Sequence, residues 1–220
     1  MLLRTTLALW VFLFTFPGTD GLVQAKASKK DPKATTMSKA KWAAFEGFRS
    51  AKFGMKESEV MRAITKDFKV SKSKVKQSVN PLEQTINLEV TVPKLIEVGG
   101  TAKIGYLLGH KSKKLMQVNM VWGSGLGKKV DVKDIISTAN LLRSHFTKKR
   151  HQKEGFAVNL KVNDAMTIVF RGKDKKGRMA ILSLTNPKVK KGEDTKISLK
   201  LSYILDAKNP DILSLKEGDF

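Results

Sequence analysis

The chain has 220 residues, with 42 Lys and Arg against 20 Asp and Glu for a net charge of +22, and it contains no cysteine. The lack of cysteine excludes disulfides and thiolate zinc sites, and an apolar fraction of 41% excludes disorder throughout, so stability has to come from an ordinary core. Seven of the basic residues are Arg and thirty-five are Lys, which favours diffuse attraction to anionic surfaces over specific nucleic-acid recognition, because lysine lacks the planar fork that reads base edges.

Arg4, an apolar run from Leu7 to Phe16, the Pro17-Gly18 break and the small-residue ending Val23-Gln24-Ala25 form the pattern of a cleavable secretory signal over residues 1–25. That apolar core is about half the length of a membrane span, so no transmembrane span is expected after cleavage, and the expected location is periplasmic or secreted. Residues 26–40 carry almost no large apolar side chain and read as a flexible basic leader. Trp42, Phe45 and Phe48 mark the start of packed structure.

From Lys56 to Phe68, Val60, Ala63, Ile64 and Phe68 recur at helical spacing, with Glu57 and Glu59 in the first turn, where the helix dipole favours acids. The period then falls to two, predicting strands over Lys74–Val79 and Thr85–Val92, joined by an Asn80-Pro81 turn. Ile86, Leu88, Val90 and Val92 share one face of the second. Gly99-Gly100 precedes further strands at Thr101–Leu108 and Leu115–Trp122, with the basic turn His110–Lys114 between them.

After a Gly/Lys linker at 123–130 the order begins again. Asp131 opens a helix with the apolar stripe Val132, Ile135, Ile136, Ala139, Leu142 and Phe146, ending in basic residues. Strands are predicted at Phe156–Val162, Ala165–Arg171, Met179–Leu184 and Lys196–Leu205, the first pair joined by a two-residue Asn163-Asp164 hairpin, and 206–220 is left as a C-terminal tail. The expectation is an α+β fold of two tandem helix-plus-four-strand units, 41–122 and 131–205, joined edge to edge in one antiparallel sheet with the helices on one face. Gly109-x-x-x-Lys113-x-x-Met116 aligns with Gly172-x-x-x-Lys176-x-x-Met179, which would put two lysine-rich turns at equivalent hairpin ends.

Phe53-Gly54-Met55-Lys56-x-x-Glu59-Val60 resembles the helix-opening motif of small exported bacterial domains of the outer-membrane assembly lipoprotein (SmpA/OmlA) and beta-lactamase-inhibitor-protein type. The resemblance implies a helix followed by antiparallel strands, a tandem duplication of that unit, and a noncatalytic binding or scaffolding role in the cell envelope. This chain departs from the motif at Lys56, which stands where the family has a capping Ser or Thr, and in having no disulfide and no lipid-bearing cysteine.

No motif calls for a cofactor or a metal. Gly123–Gly127 followed by Lys128-Lys129 lies between a strand and a helix, but Trp122 stands at the first glycine position of a phosphate loop and Lys129 at its hydroxyl position. His110, His145 and His151 lack joint ligand spacing, and no Gly-x-Ser-x-Gly or His-Glu-x-x-His occurs. The candidate binding residues are therefore Lys111, Lys113 and Lys114 in one turn and Lys173, Lys175, Lys176 and Arg178 in the other. Their expected partner is an acidic protein or an anionic envelope polymer. A hydrolase with a dispersed active site on the open sheet face and an extracytoplasmic nucleic-acid binder are the alternative readings.

Overall fold

The computed structural model describes residues 40–124, 126, 131–189 and 196–214. The predicted signal sequence, all but the last residue of the predicted leader, most of the Gly/Lys linker and the end of the predicted tail lie outside the described residues.

Helix α1 spans Glu57–Phe68 and buries Val60, Ala63 and Ile64. Lys56 gives its N terminus no side-chain cap, but the Lys56 N–H donates to the Glu59 carboxylate at 2.8 Å, the reach-back half of a capping box. Helix α2 spans Val132–Thr147, and the Asp131 carboxylate accepts the Lys133 N–H at 2.8 Å. Its buried face is Ile135, Thr138, Ala139 and Phe146, which is rotated from the predicted stripe. Val132 and Ile136 are left more than a third exposed. The rotation accompanies a tertiary contact: the loop before the third sheet strand folds back so that Gly99, at φ 98°, lies against the Thr138 side chain with no room for a Cβ.

Eight strands form one antiparallel sheet: β3 (Lys76–Val79), β4 (Ile86–Val92), β5 (Ala102–Leu108), β6 (Leu115–Gly123), β7 (Ala157–Lys161), β8 (Met166–Lys173), β9 (Met179–Thr185) and β10 (Ser198–Ile204). Their order is β3-β4-β5-β6-β10-β9-β8-β7, two four-strand meanders joined through their last strands. The predicted strand over Lys74–Val79 starts later, because Lys72–Lys74 form a 3-10 turn. The β7–β8 turn is centred one residue later than predicted: Asn163 and Met166 exchange backbone hydrogen bonds around Asp164 and Ala165, and the Asn163 side chain accepts the Ala165 N–H.

Register fixes the faces. Leu88 pairs with Tyr106, Tyr106 with Val118, Val118 with Tyr203 and Tyr203 with Ala180, so these side chains share one face. Along the β6–β10 seam Trp122 lies opposite Leu199 and Met120 opposite Leu201, all buried. The buried residues of both helices join these in a single core, so both helices cover the same face. Helix α1 packs on β4, and α2 on β8, β9, β10 and β6. The seam gets a cover that periodicity did not reveal, a two-stranded hairpin of β1 (Gly47–Phe48) and β2 (Ala51–Lys52) lying against β6 and β10. Just ahead of it, Phe45 stacks on Tyr203 and His151 at 5.7 and 5.9 Å between ring centres.

Each half is one helix followed by a four-strand meander, yet the echoed turns are not equivalent. The β5–β6 turn joins the third and fourth strands of its half, whereas the β8–β9 turn joins the second and third. The shared glycine, lysine and methionine spacing reflects two basic hairpins in different places, not two copies of one hairpin.

The rotated α2 face gives a direct check. Ile135→Ala should lower stability by about 2–4 kcal/mol, as for a buried aliphatic truncation, while Ile136→Ala should cost under about 1 kcal/mol, read from urea midpoints at constant m.

Candidate anion-binding rim

Strand β6 begins where β10 ends, with Gln117 opposite Ile204, and β10 ends where β9 begins, with Ile204 opposite Met179. Antiparallel pairing therefore brings the β5–β6 and β8–β9 turns to the same end of the sheet. All seven candidate residues lie there, but in two different states.

The β8–β9 turn is wound around Asp174, which is 1% exposed. Its carboxylate accepts the N–H groups of Lys176 at 2.9 Å and Arg178 at 3.1 Å, the Arg178 guanidinium at 2.8 Å, and the Phe45 N–H at 2.9 Å. Gly177, at φ 82°, closes the turn by donating to the Asp174 carbonyl. Arg178 also reaches Glu46 at 3.6 Å, with its side chain 12% exposed. Arg178 is thus an internal strut tying the turn to the segment that carries Phe45, and its guanidinium does not stand free for a partner. Lys173 is likewise engaged, by Glu154 at 3.1 Å. That hydrogen bond and charge, helped by Lys208, hold the Glu154 carboxyl below its ordinary value. Lys175 and Lys176 are exposed and make no ion pair among the described residues.

The β5–β6 turn is organised by a carboxylate from the far end of the chain. Asp211 accepts the N–H groups of Lys111 at 2.9 Å and Ser112 at 2.8 Å, and its carbonyl accepts the His110 N–H at 2.7 Å. Gly109 sits directly under this carboxylate, where a Cβ would collide with it. Partial burial pushes the Asp211 carboxyl up. The bonds from Ser112 and Lys111 and the charge of His110 outweigh that, and the net shift is downward. The segment 206–214, set apart in the sequence as a tail, therefore packs back across the sheet end. Its Leu213 N–H reaches the Glu83 carbonyl at 2.8 Å. Lys111, Lys113 and Lys114 are exposed and make no ion pair among the described residues.

Two lysines escaped sequence reasoning. Lys56 pairs across an isolated antiparallel bridge with Lys114, and Lys208 stands close enough to Glu154 to lower its pKa. Both are exposed at this end. Lys56 read as a helix start and Lys208 as tail, and only the fold places them on the rim. A cleft of about 200 Å³ lies between the β5–β6 turn and the segment that follows β10, lined among others by Ser112, Lys114, Gln117, Asp206, Asn209 and Asp211. Asp206 is also occupied, by the N–H groups of Lys208 and Asn209.

The open sheet face carries a polar centre. Gln117 donates to the Asn119 carboxamide oxygen at 2.8 Å and Ser202 donates to the same atom at 2.7 Å, all three buried. The histidines are elsewhere. The His151 ring, buried beside Phe45 and Phe156, donates through Nε2 to the Phe146 carbonyl at 2.9 Å and caps the end of α2. Among the described residues no histidine ring hydrogen-bonds to a serine hydroxyl or a carboxylate, and no group of three or more His, Asp or Glu could hold a metal ion. No helix among them is long and apolar enough to cross a membrane. The phosphate-loop candidate at Gly123–Lys129 lies mostly outside the described residues. Compared with protein-family models, curated proteins and solved structures, the chain matches none.

Removing the Asp174 carboxylate strands a buried guanidinium, so Asp174→Ala should cost about 3–5 kcal/mol, measured by denaturant unfolding, and should expose Phe45. For Asp211 the folded value is depressed. Its contribution is complete above the unfolded carboxyl pKa of about 3.9 and is lost as pH falls through the lower folded value. The Lys111 and Ser112 amide proton shifts should therefore titrate below the ordinary carboxylate range, and Asp211→Asn should abolish that titration.

Proposed function

We propose that this protein is an exported, noncatalytic binding or scaffolding module of the bacterial cell envelope whose lysine-rich sheet end engages an acidic protein or an anionic polymer. The observation that carries this reading is the unequal treatment of charge at that end. The acids Asp174, Asp206, Asp211, Glu46 and Glu154 are engaged internally, whereas Lys111, Lys113, Lys114, Lys175 and Lys176 point no ammonium at an acid among the described residues. A net charge of +22 adds long-range attraction to this local excess. Export rests on the signal pattern of residues 1–25, and the envelope setting on that pattern together with the SmpA/OmlA and inhibitor-protein resemblance around Phe53–Val60. Lysine ammoniums on flexible stems supply attraction without a reacting group, which suits binding better than catalysis.

Neutralising all five lysines to Gln should weaken capture on an acidic matrix at low salt by roughly fivefold to a few thousandfold, since exposed ion contacts are worth about 0.2–1 kcal/mol each. Folding should be unchanged because the side chains are exposed. Wild-type capture from envelope extract should fall as salt rises. Retention undiminished at high salt, or no capture at low salt, would overturn the reading.

A further inference from the structure

We infer that the ligand of this rim is a linear polyanion that bridges both turns at once, an inference that rests on the anion-binding reading of the same lysines. The first reason is that the turn amides are already used. The N–H groups of Lys111 and Ser112 are held by Asp211, and those of Lys176 and Arg178 by Asp174. A compact phosphate or carboxylate therefore finds these four backbone donors occupied and meets chiefly solvated ammoniums, each a weak point charge.

The second reason is spacing. The two turns are separated by three strand spacings, from the β5–β6 pair across β10 to the β9–β8 pair. At about 4.8 Å per spacing that is roughly 14 Å. The Debye length at physiological ionic strength is about 8 Å, so the turns act there as two separate clusters and a compact anion can use only one. A flexible chain held at one turn reaches the other intramolecularly, and such linkage strengthens binding by about 10²–10⁴ with no new type of contact. Lys208, beside Glu154, and Lys56, bridged to Lys114, extend the positive track beyond the turns.

The third reason separates a polymer from a folded partner. The strip between the turns exposes one large apolar side chain among the described residues, Leu205. A protein interface of stable size needs a packed apolar or aromatic anchor, and a polymer does not.

The test uses fluorescence anisotropy of labelled oligoglutamates of three and twelve residues on the exported chain. Fully extended, these span at most about 11 and 43 Å, so only the longer one reaches both turns. The comparison adds three variants: K111Q/K113Q/K114Q, K175Q/K176Q, and the combination of all five. The twelve-residue chain should bind wild type at least about a hundredfold more tightly than the three-residue chain, well beyond the roughly tenfold that extra registers supply. Neutralising either turn alone should shrink the gap to that statistical factor. A wild-type gap already at the statistical factor, or one that survives loss of either turn, would overturn bridging while leaving anion binding intact. Full binding by the five-site variant would instead overturn the anion-binding reading. Capture of a folded acidic protein through these lysines, with neither oligoglutamate binding, would overturn the polymer assignment.

Discussion

Everything in this molecule depends on the pairing of β6 with β10. Alone, each four-strand meander would expose both outer strands and cover its apolar face with one helix, too little for a stable core. Joining the last strands removes two open edges and aligns Trp122, Met120 and Val118 with Leu199, Leu201 and Tyr203 in a continuous apolar row. The row is wider than either helix can cover. The β1–β2 hairpin and Phe45 fill the middle, which explains why the aromatic residues before α1 are packed.

The same pairing also sets the electrostatics. Because β10 runs antiparallel to both β6 and β9, the turns that flank it lie at one end, and so do the segments that hold those turns in shape. Asp174 ties the β8–β9 turn to the chain at Phe45, and Asp211 ties the β5–β6 turn to the last described residues. A carboxylate at each turn consumes the backbone donors and leaves the lysine side chains outward. The backbone of each turn is therefore hydrogen-bonded to a carboxylate, while Lys111, Lys113, Lys114, Lys175 and Lys176 are exposed.

The two faces of the sheet follow different rules. On the helix face, burial is apolar and organised by stacking among Phe45, Phe146, His151, Phe170 and Tyr203. On the other face the centre is polar, with Gln117, Asn119 and Ser202 joined by hydrogen bonds and Gly105 leaving room for the Asn87 side chain. Lys103 pairs there with Glu89 at 3.3 Å. Burial pushes the nearby Lys200 ammonium down in pKa, a shift that the charge of Glu83 opposes.

Most of the secondary structure is legible in local pattern, the β1–β2 hairpin excepted. Alternation at Ile86–Val92 and helical spacing at Val60–Phe68 are local consequences of which side chains must leave water, and they read directly. The Asp174-Lys-Lys-Gly177 turn was equally local, since Asp at its first position and Gly at its last are the residues that geometry requires. The tertiary fold sets which face of α2 is buried, because Thr138 is covered by Gly99 from another loop. It alone decided that Arg178 is a strut and that Lys56 and Lys208 belong to the rim. It also brought Asp211 to the turn at Lys111, a hundred residues away in the chain. Such contacts depend on strand order, and strand order is set by which edges can pair and which apolar rows must meet, information that no single stretch of sequence contains.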